Sequence, residues 1–134
     1  MIFLDTNVLV YATICQNKKK QEQADSIIRE NIQENLILSP LVLSEFIYVV
    51  SKLELDSGYI QESVSVFGKC SRHHIDTDMV HSAFELSRKI SMGKSINDLI
   101  HLKFAEKYSS KIITFDENFK KMKRHTNLTI EILK

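Results

Sequence analysis

Glycine and proline are scarce in this sequence, three and one among 134 residues. They are scattered, so no Gly- or Pro-rich linker divides the chain. There is no internal repeat or low-complexity segment, and residues 1–134 read as one domain of ordinary size. Cysteine is nearly absent. Cys15 and Cys70 lie far apart, without the short pair spacing of a zinc site, and are read as two buried thiols in a reducing compartment. No apolar run approaches the ~20 residues that a membrane helix needs. The start, Met1-Ile2-Phe3-Leu4-Asp5, has no basic residue before its apolar run, and Asp5 interrupts that run, so a signal peptide is not expected. The expectation is a soluble, cytoplasmic protein with no membrane partner. Charge of one sign is also missing. A net charge of +1 excludes a uniformly basic nucleic-acid binder and leaves any such affinity to local patches or a bound metal. No Gly-rich phosphate loop or Ser-His-Asp pattern is present, and the five histidines form no ligand motif.

What is present is ordinary globular composition, 43% hydrophobic and 26% charged. A chain of this length buries roughly two-thirds of its unfolded surface without a covalent staple. Residues 2–4 form an apolar run ending at an acid, which suits a buried strand. Thr6 is placed to cap a short helix over 6–11. Residues 18–34 are helical, with Ala24, Ile27, Ile28 and Ile32 on one face. Residues 36–38 read as a second strand. Pro40 opens a helix over 40–53 that is apolar nearly all round. Helices follow over 57–71, over 78–92 with Val80, Ala83, Phe84 and Ile90 on one face, and over 95–108. Residues 111–115 form a β-branched strand, 119–124 a short helix and 128–133 a last strand. Strands alternating with helices predict an α/β fold with a small, mainly parallel β-sheet flanked by α-helices on both sides. Ligands of such sheets bind beyond the carboxyl ends of the strands, where Asp5 and Asp116 fall.

Most of the 17 acids sit beside lysines in polar helices, where solvation explains them. Four stand apart. Asp5, followed by Thr6 and Asn7, fits a helix cap as well as a site. Glu45 is the only charge between Leu36 and Ser51, in a helix whose composition predicts burial. A buried, unpaired carboxylate there costs several kcal/mol in order of magnitude, unless it is protonated, paired or on a metal. Asp98 lies in Ser95-Ile96-Asn97-Asp98, a capping-box-like spacing that also suits the helix dipole. Asp116 follows a strand and can cap the next helix. The four positions can converge on one pocket.

Carboxylates gathered in one pocket repel one another, and some take up protons unless a cation intervenes. Hard oxygen donors suit Mg²⁺ or Mn²⁺, and such an ion activates water for in-line phosphodiester hydrolysis. Thr6, Asn7 and Thr114 are candidates to orient the acids or hold waters; Asn118 is a weaker one. Lys120, Lys121, Lys123 and Arg124, with His125, form a basic cluster after Asp116 that can contact a nucleic-acid backbone, although a solvated helix face explains each equally well. Lys18, Lys19 and Lys20 read as a helix start or loop surface. His101, one turn after Asp98, is expected to form a hydrogen bond rather than ligate metal.

Four segments in order, Phe3-Leu4-Asp5-Thr6-Asn7, Ser39-Pro40-Leu41-Val42-Leu43-Ser44-Glu45-Phe46, Ile96-Asn97-Asp98-Leu99-Ile100-His101-Leu102 and Thr114-Phe115-Asp116-Glu117-Asn118-Phe119, resemble the PIN-domain ribonucleases, especially the VapC-type toxins of bacterial toxin–antitoxin pairs. The resemblance implies a small parallel sheet flanked by helices. It also implies a catalytic and metal-binding set of Asp5, Glu45, Asp98 and Asp116, Mg²⁺- or Mn²⁺-dependent RNA cleavage, a homodimer and a cognate antitoxin protein. Leu99 departs from the small residue that often follows the third acid, and Asp116 occupies the least uniform of the acidic positions. A housekeeping RNA-processing nuclease and a catalytically silent PIN-like binding module are the alternatives. A haloacid-dehalogenase-like phosphatase is disfavoured because Asn7 stands where its second acid belongs. A response-regulator receiver is disfavoured because Thr6 breaks its acid pair.

Overall fold

The computed structural model describes the backbone of residues 1–134 and every side chain except that of Lys94. Four strands, β1 (Ile2–Leu4), β2 (Leu36–Ile37), β3 (Lys111–Thr114) and β4 (Thr129–Ile132), form one parallel sheet in the order β2-β1-β3-β4. Six α-helices connect them: α1 (Thr6–Thr13), α2 (Lys18–Asn31), α3 (Pro40–Lys52), α4 (Ser57–Gly68), α5 (Thr77–Ile90) and α6 (Ile96–Tyr108). Short 3-10 stretches cover Gly93–Ser95 and Glu117–His125. The α/β class and the small parallel sheet flanked by helices are as the sequence predicts.

Side chains alternate across a strand, yet Phe3, Leu4, Ile112 and Ile113 are all buried, so both faces of the central strands are covered. On one face the Phe3 ring lies 5.7 Å from Phe104 of α6. Around the sheet, α5 packs on α6, α1 on α2 and α3, and α3 on α4, where Phe46 and Phe67 meet edge to face at 5.3 Å. Among the described residues, no helix is long and apolar enough to cross a membrane.

The central pair positions the site. Leu4 pairs with Ile113, and the Asp5 N–H donates to the Ile113 carbonyl at 3.0 Å. The ladder therefore continues one residue beyond β1 and sets Asp5 beside Thr114. β2 and β3 flank β1 on opposite sides, so the chains leaving them, α3 and the Phe115–Asp116 turn, start on opposite flanks of Asp5.

Several elements differ from their sequence expectation for local reasons. Helix α2 stops at Asn31, whose side-chain amide donates to the Ile27 carbonyl at 2.7 Å. Helix α4 stops at Gly68 because the chain is drawn into turns, with Leu38 N–H donating to the Cys70 carbonyl at 3.0 Å. The 119–124 segment is 3-10 rather than α-helical. Its buried anchors Phe119 and Met122 are three apart, the spacing that eclipses in a 3-10 turn. Helix α3 is apolar all round but not covered all round. Val42, Phe46 and Val50 face the core, whereas Ile47 and Tyr48 are exposed. In α5 the buried stripe is Met79, Ala83 and Leu86, and the expected face residues Val80 and Phe84 point outward, Phe84 54% exposed. Only Cys70 is a buried thiol; Cys15 is exposed.

Candidate metal centre

Asp5, Glu45, Asp98 and Asp116 arrive from four separate segments and line one open cleft of about 460 Å³. Among the described residues no Lys or Arg lines it. Asp5 follows β1 and caps α1, its Oδ1 accepting from Thr6 N–H at 2.7 Å. Of the two caps that the sequence offers, Thr6 and Asp5, the structure uses Asp5. The Asp5 side chain is nearly sealed from solvent. Burial raises its carboxyl above the usual 3.8, against the lowering effect of His101, Thr114 and the Thr6 N–H.

Three short side chains fix these acids. Thr114 Oγ1 donates to Asp5 Oδ2 at 2.7 Å and accepts from Asp116 N–H at 3.0 Å and from the Asn7 amide at 3.2 Å. Its one donor and two acceptor positions are all used. Asn7 also donates to Asp5 Oδ2 at 3.3 Å and accepts from Phe115 N–H at 3.1 Å. Thr6, freed from capping, donates its hydroxyl proton to Glu45 Oε1 at 2.6 Å. Asp116 caps the following 3-10 stretch through Asn118 N–H at 2.9 Å.

Glu45 is half-buried, not sunk in a closed helix. Burial alone would raise its carboxyl. The bond and charge of His101, with donors from Thr6 and Asn97, outweigh burial and hold it below 4.5. The cost expected for a buried unpaired carboxylate is therefore met by partners. Asp98 is the strained member. Ser95 makes no side-chain capping bond to the start of α6, so the cap that the spacing suggests does not form. Burial, followed by repulsion from Asp5, Asp116 and Glu45, pushes the Asp98 carboxyl up to about 7, with His101 opposing.

His101 is fully buried, and its Nε2 lies 2.8 Å from Glu45 Oε1 and 3.8 Å from Asp5 Oδ1. A carboxylate only accepts, so Nε2–H donates to Glu45. Burial disfavours the imidazolium, but the Glu45 bond and the charges of Asp5, Glu45 and Asp98 prevail and raise its pKa above 6.5. Among the described residues, Nδ1 has no hydrogen-bond partner. The hydrogen-bonding role expected for His101 is observed, but His101 also belongs to a donor cluster. One ligating atom each from Asp5, Asp98 and His101 lies within 4.8 Å of the others. This cluster can coordinate a divalent cation, and Glu45 and Asp116 line the same cleft from its two flanks.

The PIN-domain family model matches residues 2–125, a span that includes β1 to β3 and all four acids. The chain belongs to the PIN-domain family. The PIN fold here is similar to a chain of VapBC2 from Rickettsia felis, solved bound to a DNA fragment from their promoter (TM-score 0.67, 23% identity, 100% of both chains). It is similar also to VapC20 of Mycobacterium tuberculosis, described as a sarcin–ricin-loop-cleaving toxin (TM-score 0.71, 18% identity, 90% of this chain and 93% of that one). A third likeness is FitAcB from Neisseria gonorrhoeae (TM-score 0.65, 21% identity, 98% and 96%). At these identities the likeness is one of fold. No curated protein is similar enough in sequence to match. Within this PIN domain, the basic residues Lys120, Lys121, Lys123 and Arg124 are exposed and none lines the cleft. The sequence reading missed Tyr11 and Tyr48, which do line it. Each sits three or four residues beyond a site residue on its own helix, the spacing that shares a helix face.

Proposed function

We propose that this PIN domain is a Mg²⁺- or Mn²⁺-dependent endoribonuclease and the toxin of a toxin–antitoxin pair, working in the cytoplasm. The observation that carries the reading is the convergence of four carboxylates on one cleft, where burial first and then the neighbouring acids push the Asp98 carboxyl up to about 7. Such a group of hard donors, short of positive charge, suits a divalent cation. Asp5, Asp98, Glu45 and Asp116 would hold it, and His101 would keep Glu45 aimed at the cleft. Bound there, the ion supplies positive charge for a substrate phosphate and an acidified water. Asp5 is kept in place by Thr114, Asn7 and the Thr6 N–H, so its carboxylate does not need to reorganise. The fold likeness to VapBC2 and FitAcB supports a cognate antitoxin as partner, and the homodimer implied by the family resemblance is the working form in this reading.

The test is cleavage of a mixed RNA pool with products mapped at nucleotide resolution. The wild type cleaves in Mn²⁺ and stops in excess EDTA. Asp5→Asn and Asp98→Asn remain folded and lose at least roughly a hundredfold in rate, the order expected when a positioned charge is removed from such a site. Undiminished cleavage in EDTA, or by both variants, overturns the mechanism. Growth arrest on expression that persists unchanged in Asp5→Asn overturns the toxin role.

A further inference from the structure

The cleft floor is acidic, and a nucleic-acid backbone is itself an anion. Something other than the floor must hold the phosphates on either side of the reacting one. The structure has two candidates, one on each flank. On the β3 flank, Tyr11 of α1 and Phe115 pack with ring centroids 4.8 Å apart. The Lys20 ammonium stands 5.0 Å from the Tyr11 centroid and 5.4 Å from that of Phe115. Phe115 directly precedes Asp116, and its N–H is bonded to Asn7, so this group adjoins the acids. On the α3 flank, Tyr48 lines the cleft one turn beyond Glu45 and is 64% exposed, with the Lys52 ammonium 4.9 Å from its ring centroid.

Neither lysine has a carboxylate within ion-pair distance among the described residues. Lys20 is held differently from its neighbours Lys18 and Lys19. They are exposed, whereas Lys20 is half-buried and its backbone N–H is fixed by Asn17 Oδ1 at 3.1 Å. Cations resting on ring faces are kept out of the acidic floor and stay free to pair with phosphate. An exposed tyrosine ring beside a cation is also a stacking platform for an unpaired base. In a duplex the bases are already stacked and cannot lie on it.

We infer that the two tyrosine–lysine pairs form a single-stranded RNA track across the cleft, with a base stacked on Tyr48 and the flanking phosphates held by Lys52 and Lys20. The track rests on the nuclease reading only for the identity of the strand it positions.

The experiment measures binding of a short fluorescein-labelled single-stranded RNA by anisotropy, with Ca²⁺ in place of Mn²⁺, over a series of salt concentrations. Tyr48→Ala weakens binding about tenfold, while Tyr48→Phe, which keeps the ring, stays within about twofold of wild type. Lys20→Ala and Lys52→Ala each weaken binding and each reduce the slope of log Kd against log salt by roughly 0.7, the value for one phosphate contact on a single strand. Lys20→Arg restores the slope. Unlabelled duplex of the same sequence competes at least about tenfold less well than the single strand.

Wild-type affinity in both Tyr48→Ala and Lys20→Ala overturns the track, as does equal competition by duplex. A change of oligomeric state in Tyr48→Ala with unchanged RNA affinity overturns it too, because the ring then belongs to a protein contact. Cleavage in Mn²⁺ is scored separately. Binding with the expected variant pattern but no cleavage keeps the track and removes the nuclease reading. Cleavage with indifferent variants does the reverse.

Discussion

Thr114 spends its single proton on Asp5 Oδ2 and both lone pairs on Asn7 and the Asp116 N–H. Thr114→Val keeps the shape and removes all three bonds, leaving a sealed carboxyl short of a donor. It should cost about 1–3 kcal/mol in urea unfolding, and Thr114→Ser clearly less. Equal stability of the two variants would mean that the hydroxyl is incidental. The titrations around it give a second prediction. Asp5, Asp98 and His101 have raised pKa values in the folded chain, so the folded state holds protons that the unfolded state releases. For Asp98 the window runs from the ordinary 3.8 to about 7; His101 extends it above 6.5. Glu45, lowered below 4.5, contributes stability that is lost only in more acid solution. In EDTA the Tm should therefore fall as pH rises from 5 to 8, and Asp98→Asn should flatten that fall. A metal that displaces those protons should stabilise more at pH 8 than at pH 6. A metal-free Tm that climbs over this range would contradict the arrangement of charges. His101 marks the limit of reading at this scale. Its nearness to Asp98 in sequence was visible, but its bond to Glu45, 56 residues away, required the fold.

At the scale of elements, short apolar runs read cleanly because both faces of a central parallel strand are buried and no alternation blurs them. Helix faces read less well. In α5, Val80 and Phe84 stand one position after Met79 and Ala83, about 100° round the helix, and both stripes are apolar. Composition cannot say which one meets α6. The structure chooses Met79, Ala83 and Leu86. Leu86→Ala should cost about 2–5 kcal/mol, whereas Phe84→Ser should leave the monomer's unfolding midpoint within about 0.5 kcal/mol of wild type. A large loss from Phe84→Ser would return the core to the stripe expected from sequence. Helix α3 shows the same ambiguity: its apolar composition hid a face with Tyr48 in the open. The missing Ser95 cap is a third case, since residue types permit that bond but the backbone of the preceding 3-10 turn does not form it.

At the scale of the molecule, Asp5 and Asp116 stood out by ending a strand and Glu45 by interrupting an apolar helix, whereas Asp98 sat at a helix start where a cap explained it as well. The strand order β2-β1-β3-β4 was not legible, because it depends on pairing between segments more than 100 residues apart. A site assembled from such distant segments is a property of the folded state, so a ligand of the site should stabilise the whole chain. Saturating Mn²⁺ at about a hundred times its Kd should add roughly 2.7 kcal/mol and several degrees to the Tm. No shift over a wide titration would count against a preformed centre. The same topology has a consequence for the growing chain. Asp5, Glu45 and Asp98 are synthesised before the strand that brings the Thr114 hydroxyl to Asp5, and Asp116 follows two residues later. Until Lys111–Thr114 slides in beside Ile2–Leu4, the nascent chain carries three of its acids without the strand that aligns them. Any activity of this cleft therefore begins only after Asp116 has been made and β3 has docked against β1.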